Sequence, residues 1–227
     1  MAEQTEVPKD IKRQGWGGHT IFPTQLLVRD WDDVEDTNVK LKNGIWRERA
    51  LDPEGLYRSN QAGTWHSHDK ILERLGPAGR ELWKMFGEGF TTYAYNCYGA
   101  SKDYEVNVKM SAWAMVYSDR GYAAVHTHPN CHISGVYYVD NTCDETEITM
   151  ATGVRVKPGD IEFLDTRRGG EHQIANMVMN SSAIFGYKSG RMLIFPSSLP
   201  HYVHPVMGDG ERIAIACNAT FHLKEKS

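Results

Sequence analysis

Apolar and polar residues follow two different spacings along this chain, and the change falls near residue 105. Between about 67 and 99, apolar residues recur at helical spacing on both sides of the Gly76-Pro77 pair. They are Ile71, Leu72 and Leu75 before the pair, and Leu82, Trp83 and Phe86 after it. Because a Gly-Pro pair interrupts a helix, this pattern predicts two helices in succession.

After Glu105 the spacing changes to that of strands. Short runs of β-branched and aromatic residues are separated by Gly, Asp, Asn and Pro; they include HISGVYYVD (132–140), RMLIFPS (191–197) and RIAIACNATF (212–221). An earlier run, TIFPTQLLVRDW (20–31), predicts a first strand. Many short strands at intervals of about ten residues are typical of a sandwich or barrel. We therefore expect a mainly β protein, a double-stranded β-helix (jelly roll) supported by N-terminal helices.

The length of 227 residues suits one domain with one sizeable core. We expect residues 1–20 to be a flexible lead and residues 21–227 to form a single jelly-roll domain, with helical support at about 67–99. No apolar run approaches the roughly 20 residues of a membrane span, and the first residues lack the apolar core of a secretory signal. The sequence therefore predicts a cytoplasmic protein without a membrane partner. It does not indicate an oligomeric state.

Charge and cysteine content exclude other classes of function. The formal net charge is −4, and no block of Lys and Arg stands out, so we expect no nucleic acid partner. The four cysteines are widely spaced without a CxxC pair, which argues against a disulfide framework or a cysteine-rich zinc site. Cys131 lies among histidines, but thiolate ligands usually come in closely spaced pairs.

The stretch HTHPNCHISGVYYVD (126–140) has three histidines in seven residues. On a strand, residues i and i+2 point to the same face, so His126 and His128 can converge on one metal ion. The alternative is a polar surface turn in which Pro129-Asn130 forms the bend. We expect His132 to line the wall of a pocket or to contact substrate.

A second group of polar residues lies about 75 residues further on. His201 and His204 follow an apolar strand, and Arg212 begins another alternating run. A buried arginine is costly unless paired, so Arg212 has either a structural carboxylate as its partner or an anionic ligand, which its guanidinium binds through two oxygens. Asn218 shares a face with Arg212 by even spacing. It contributes either to ligand binding or to a core hydrogen bond.

Several blocks in order, from SAWAMVYSDRGYAAVHTHPN through GDIEFLDTRR to GRMLIFPSSLPHYVHPV, resemble the 2-oxoglutarate and Fe(II)-dependent oxygenases. The resemblance spans about residues 111–221 and is greatest to small hydroxylases of bacteria and phages. It implies a jelly roll with an iron site in its open mouth, Fe(II) as cofactor, 2-oxoglutarate as cosubstrate, O₂ and a small-molecule substrate.

The same resemblance assigns expected roles to individual residues. His126 matches the first metal ligand of the family and His201 matches the distal histidine, with His204 as the competing candidate. Arg212 matches the residue that binds the far carboxylate of 2-oxoglutarate, and Tyr117 is placed like a tyrosine that assists it. These expectations give a metal site of His126, His128 and His201, which are also the predicted catalytic residues, and a cosubstrate site of Arg212, Tyr117 and Asn218.

The chain departs from the family where a carboxylate normally completes the triad, because His128 occupies that position. Three alternatives follow: His128 is itself a ligand, water or an anion fills the position, or a carboxylate such as Asp140 or Asp165 arrives from elsewhere. We favour ligation by His128, because its position and its imidazole suit the task. Three histidines also bind zinc, copper or nickel, so the preference for iron is inherited from the resemblance.

Other polar residues are weaker candidates. Arg167, Arg168 and His172 lie in a loop where they are either solvated or bind an anionic substrate. We expect His66 and His68 to be exposed at a helix N-terminus. The alternative function is a cupin-like metal-binding jelly roll, either an oxoglutarate-independent dioxygenase or isomerase or a non-enzymatic binding module; Arg212 would then pair with an acidic residue such as Glu211 or Asp209.

Overall fold

The computed structural model describes residues 23–149, 154–166 and 182–226. The predicted flexible lead, most of the candidate loop around Arg168 and the start of the predicted first strand lie outside these residues. The helices of the described part are α1 (Glu35–Leu51), α2 (Ile71–Arg74) and α3 (Gly76–Asn96). Its strands are β1 (Leu27–Asp30), β2 (Gln61–His66), β3 (Tyr104–His126), β4 (Ile133–Asn141), β5 (Ile148–Thr149), β6 (Arg155–Val156), β7 (Ile161–Leu164), β8 (Ser182–Phe185), β9 (Arg191–Pro196), β10 (His201–Val203) and β11 (Arg212–Glu225).

One antiparallel sheet contains nearly all of these strands. Its order is β1-β9-β4-β11-β3-β10-β7-β8, with β2 also paired to β3, while β5 and β6 pair with each other. The long strand β3 is central: it pairs with β11 over most of its length and with β10 near its end. The mainly β architecture predicted from the alternating runs is confirmed, and strands distant in sequence meet along β3.

Alternation along β11 divides the core into two parts. Ile213, Ile215 and Cys217 pack in a cluster that contains the buried residues of the helices. Ala214 and Ala216 point the other way and pack in a second cluster. Side chains two apart on a strand share a face, so the helices cover one face of the sheet and the other face bounds an interior. The candidate site occupies that interior.

The helical region follows the sequence prediction closely. α2 ends at Arg74, and α3 begins at Gly76, where φ is +60°. Leu82 and Phe86 are completely buried, as their helical spacing indicated. None of the helices in the three described ranges is long and apolar enough to cross a membrane.

Candidate metal centre

Three histidines from two neighbouring strands and one loop meet at the open end of the sheet. His126 ends β3 and His201 begins β10, and the two residues are direct partners in the antiparallel register. His128 lies two residues beyond the end of β3. One ring nitrogen from each histidine lies within 4.8 Å of the others. The structure therefore brings together the three predicted metal ligands.

Backbone hydrogen bonds set the orientation of two of these rings. His126 Nδ1 lies 2.7 Å from the carbonyl of Ala124, and His201 Nδ1 lies 2.9 Å from the carbonyl of Leu199. A carbonyl only accepts, so each Nδ1 donates its proton and each Nε2 presents a lone pair. Nε2 of His128 and Nε2 of His201 are 3.3 Å apart. Nitrogens bound to one ion at about 2.0–2.1 Å lie roughly 3 Å apart, so this spacing suits a shared cation.

Burial keeps the imidazoles of this cluster neutral. It lowers the pKa of His128 to about 4 and the pKa of His201 to about 3, and it also lowers the pKa of His126. Neighbouring imidazoles add to the effect at His128 and His201. Metal ligation requires the neutral ring, so the cluster is ready to bind a cation at neutral pH without first losing protons.

No carboxylate joins the three histidines anywhere in the part of the chain that the structure describes. Asp140, one predicted source, forms an ion pair with Lys42 of α1, at 2.5 Å, on the side of the sheet that faces the helices. Asp165, the other predicted source, is not part of the histidine cluster. Among the described residues, the candidate donors at this site are therefore three imidazoles without a carboxylate.

The remaining histidine and cysteine candidates lie outside the cluster. His204 is buried with Glu162, whose carboxylate lies 2.8 Å from His204 Nε2 and also accepts a hydrogen bond from Tyr202. His132 accepts a hydrogen bond from the backbone of Phe221 at 3.0 Å. Cys131 lies beside the site, but its thiol contacts the carbonyl of His128 rather than the ring nitrogens.

Arg212 is buried without an acidic partner among the described residues. Its side chain is 1% exposed, and neither Nε nor Nη1 has a hydrogen-bond partner in the described ranges. Its guanidinium lies 5.0 Å from the ring centres of Tyr117 and Tyr138. Glu211, one structural partner considered above, pairs with Arg49 instead, at 2.6 Å. A buried guanidinium with free donors is costly unless an anion satisfies it.

The backbone leaves room for the Arg212 side chain at one glycine. Gly159 has φ +81°, and a Cβ built there would lie 2.8 Å from Arg212 Cδ. Any other residue at this position would both strain the backbone and press on the arginine stem. The loop before β7 therefore helps to set the path of the guanidinium.

Tyr117 and Asn218 occupy the same interior face as Arg212. Tyr117 pairs with Arg212 across the β3–β11 register, is buried, and places its hydroxyl 3.3 Å from the sulfur of Met115. Asn218 Oδ1 accepts a hydrogen bond of 2.8 Å from the hydroxyl of Ser134. Of the two roles considered for Asn218, the core hydrogen bond is present.

A single cavity of about 750 Å³ joins these groups. It is lined by the three histidines and by Arg212, Tyr117 and Asn218, with Trp113 and Phe195 among its apolar walls. Ligand pockets are typically about 300–1,000 Å³, so the cavity has room for a small diacid and for part of a second molecule. The histidine cluster and the buried guanidinium of Arg212 therefore open onto the same space.

The expectation for His66 was wrong. We expected an exposed residue at a helix N-terminus, but His66 ends β2, is 3% exposed and lines the cavity. Its side chain points inward because it is the cross-strand partner of the interior residue Met115. His68 is exposed, as expected, and pairs with Asp52 at 3.3 Å. Arg167, Arg168 and His172 lie outside the described residues.

Burial of His66 predicts a pH dependence of stability. Burial lowers its pKa from 6.5 to about 4, so between these values the unfolded chain binds a proton that the folded protein excludes. The stability that this group contributes is therefore complete above pH 6.5 and decreases as the pH falls toward 4. We expect His66→Gln to lose less stability than the parent between pH 7 and pH 5, measured by urea unfolding of metal-free protein. Equal losses would contradict this assignment.

Comparison with known proteins agrees with the site. Residues 111–218 match a family described as "Putative 2OG-Fe(II) oxygenase". This segment contains all six residues predicted for the metal and cosubstrate sites. No curated protein sequence matches the chain.

Solved structures share the fold across most of the chain. A prolyl-4-hydroxylase from Pseudomonas putida is 11% identical, with 90% of this chain and 94% of that chain covered and a TM-score of 0.58. The carbocyclase SnoK from nogalamycin biosynthesis is 9% identical, with 89% and 82% covered and a TM-score of 0.59. HygX from Streptomyces hygroscopicus, with nickel and 2-oxoglutarate bound, is 9% identical, with 87% and 83% covered and a TM-score of 0.51.

The solved structures show a jelly-roll fold, and the segment 111–218 is similar to the 2-oxoglutarate and Fe(II)-dependent oxygenases. The predicted jelly roll and the predicted resemblance are both confirmed. The match to the 2OG-Fe(II) oxygenase family covers residues 111–218, just under half of the chain, and the three histidines within it are able to hold a metal ion. Structural relatives include a hydroxylase and a carbocyclase, so the type of oxidation is a separate question.

Proposed function

We propose that this protein is a cytoplasmic hydroxylase in which His126, His128 and His201 hold Fe(II) and Arg212 binds 2-oxoglutarate. One observation carries the proposal: three converging imidazoles line the same cavity as a buried guanidinium that has no acidic partner among the described residues. The substrate is a small molecule that enters this cavity. We further propose that residues 21–227 form one functional domain.

In this proposal His128 binds the metal ion directly. Its Nε2 lies 3.3 Å from that of His201, and its neutral ring has a lone pair to offer. Three neutral ligands leave the full charge of +2 on the ion, whereas a carboxylate would reduce it to +1. The chelating carboxylate of 2-oxoglutarate would lower the charge of the metal centre to +1, while its far carboxylate would pair with Arg212. Three neutral ligands would therefore strengthen binding of the anionic cosubstrate, because they leave more positive charge on the ion than a carboxylate would.

Arg212 holds the other end of the cosubstrate. Its guanidinium has free N–H donors, and a carboxylate accepts two of them in parallel. Tyr117 and Tyr138 keep the arginine in place by contact with its cationic face. Asn218 also lines the cavity; its Oδ1 accepts a hydrogen bond from Ser134, and its NH2 group is a donor that the cosubstrate would use.

When bound, iron and 2-oxoglutarate supply the oxidising power for hydroxylation with O₂. The residues of the chain orient the reactants and limit access of water. Phe195 packs edge-on against both His128 and His201, so one side of the cluster is apolar. An apolar wall would exclude water and so protect reactive species from side reactions. It would also let an apolar part of the substrate bind next to the metal site.

Anaerobic titration tests the proposal directly. Adding Fe(II) and then 2-oxoglutarate to purified protein is expected to produce a weak visible charge-transfer band, since bidentate chelation brings the 2-oxo acid onto the metal. Fe(II) alone should raise the melting temperature, because it binds only the folded site. The matched control is His68→Ala, which removes an exposed histidine outside the cluster.

The possible outcomes separate the candidate functions. A metal-dependent rise in melting temperature without a 2-oxoglutarate band would indicate an oxoglutarate-independent metal protein. Neither signal would contradict the metal site altogether. With both signals present, hydroxylation is tested by the incorporation of one atom of labelled O₂ into product while succinate and CO₂ form.

A further inference from the structure

His128 is held differently from the other two histidines of the cluster. His126 and His201 each donate Nδ1–H to a backbone carbonyl. The only ring-nitrogen contact of His128 in the described part of the chain is with His201, another member of the cluster. His128 also lies beyond the end of β3, outside the regular strand. Hydrogen bonds to described residues outside the cluster therefore do not fix the His128 ring.

Aromatic contacts take the place of those hydrogen bonds. The ring of His128 lies 5.8 Å from that of Trp113 with planes 27° apart, and 5.1 Å from that of His201 with planes 4° apart. Trp113 in turn lies 5.7 Å from His66 with planes 15° apart. Centre distances of 4.5–7 Å with nearly parallel planes are favourable offset stacks. Four rings, from His66 to His201, thus form one stacked row.

The far end of this row is anchored to the sheet. His66 Nδ1 lies 2.6 Å from the carbonyl of Ser67. Ser67 is joined to Ala114 of β3 twice, by its backbone N–H at 3.0 Å and by its hydroxyl at 2.9 Å. Ala114 is the neighbour of Trp113 in the sequence. His66, which stacks on Trp113, is therefore connected through Ser67 to β3, the strand that contains Trp113.

Space for the indole comes from the neighbouring strand. Trp113 pairs across the register with Ala216 of β11, whose small side chain faces the same interior. A larger residue there would compete with the indole for the cavity wall. The wall is thus shaped to place a flat ring next to position 128.

We propose that Trp113, backed by His66, is the positioning residue that holds His128 in place as a metal ligand. The proposal rests on the metal site described under Proposed function. It also explains how this chain uses a histidine where related oxygenases have a carboxylate. A carboxylate has no ring face to stack, whereas an imidazole gains its orientation from the indole. Trp113 itself does not touch the ion.

Metal affinity without turnover tests this role. Mutation of a residue that supports a metal ligand typically lowers metal affinity by about 10–100-fold. We expect Trp113→Leu to weaken Co(II) binding to the metal-free protein by at least about tenfold and to alter the visible d–d spectrum of bound Co(II). Trp113→Phe retains a ring and should restore most of the affinity. Thr220→Val, at another point of the cavity wall, should leave both readouts unchanged.

A double-mutant cycle separates positioning from general damage. In the His128→Asp background the ligand no longer stacks, so Trp113→Leu should cause little further loss of Co(II) affinity. If Trp113 only supports the fold, the same fractional loss will appear in both backgrounds, and the proposal is wrong. It is also wrong if Trp113→Leu binds Co(II) as the parent does. Failure of the parent protein to bind Co(II) would instead contradict the metal site on which the proposal rests.

Discussion

Replacing His201 with alanine is expected to abolish Fe(II) binding at micromolar concentrations and, with it, all 2-oxoglutarate turnover. His201 is the most buried of the three histidines, and its Nδ1–H is bonded to the carbonyl of Leu199. Its Nε2 therefore faces the other two rings in a fixed orientation. Catalytic metal sites of this kind have three protein ligands. Loss of one of the three ligands is expected to weaken metal binding by a factor on the order of 10³, which corresponds to about 4 kcal/mol.

The control for this prediction is His204→Ala, because the sequence alone offers both histidines as the distal ligand. His204 lies 2.8 Å from the Glu162 carboxylate and outside the cluster. Removing it leaves a buried carboxylate with one partner fewer, so stability should fall by about 1–3 kcal/mol. Metal affinity, measured by calorimetric titration of folded protein, should not change. The reverse pattern, with metal lost in His204→Ala and kept in His201→Ala, would show that the site is wrongly assigned.

The sequence predicted much of the metal centre because strand periodicity makes it local. His126 and His128 are two residues apart, and the sequence placed both on one side of a strand, although the structure ends β3 at His126 and has His128 in the following loop. Arg212 and Asn218 are six apart on β11 and share the interior face for the same reason. The pairing of His126 with His201 required the register between β3 and β10, which periodicity does not give. The family resemblance supplied that link.

Other features depend on contacts that periodicity does not encode. The 17-residue helix α1 was not predicted, because between residues 32 and 61 only a narrow stripe is apolar. Leu41 and Ile45 are its completely buried apolar residues, and the sequence around them is mostly polar. His66 was misplaced because the apolar spacing after it predicted a helix N-terminus at this point of the sequence. The structure shows a strand end whose direction is set by pairing with Met115.

The stacked row from His66 to His201 also could not be predicted from residue spacing. Trp113 is one of several aromatic residues on β3 and β4, and its spacing assigns it to the interior without naming its neighbours. His66 lies 47 residues before Trp113, on a different strand. Only the pairing of β2 with β3 places the two rings 5.7 Å apart. Both the meeting of the three histidines and the support of His128 therefore depend on tertiary contacts.

Replacing Arg212 with methionine is expected to have opposite effects on cosubstrate binding and on stability. Methionine has a similar length without charge, so the loss of the guanidinium should weaken 2-oxoglutarate binding by about 2–5 kcal/mol, the usual cost of removing one partner of a buried charged pair. Two nitrogens of Arg212 are buried without a partner among the described residues. The metal-free and oxoglutarate-free variant should therefore be as stable as the parent or more stable. Anaerobic titration and urea unfolding measure the two effects.

Arg191→Met is the matched control for this pair of measurements. Arg191 forms an ion pair with Asp30, with Nε 2.7 Å from the carboxylate, and this contact holds the pKa of Asp30 well below its usual range. Loss of that pair should lower stability without affecting 2-oxoglutarate. If Arg212 were instead a structural cation, Arg212→Met would behave like Arg191→Met: less stable, with unchanged cosubstrate binding. The sign of the change in unfolding free energy of Arg212→Met therefore distinguishes an arginine that binds an anionic ligand from one that stabilises the fold.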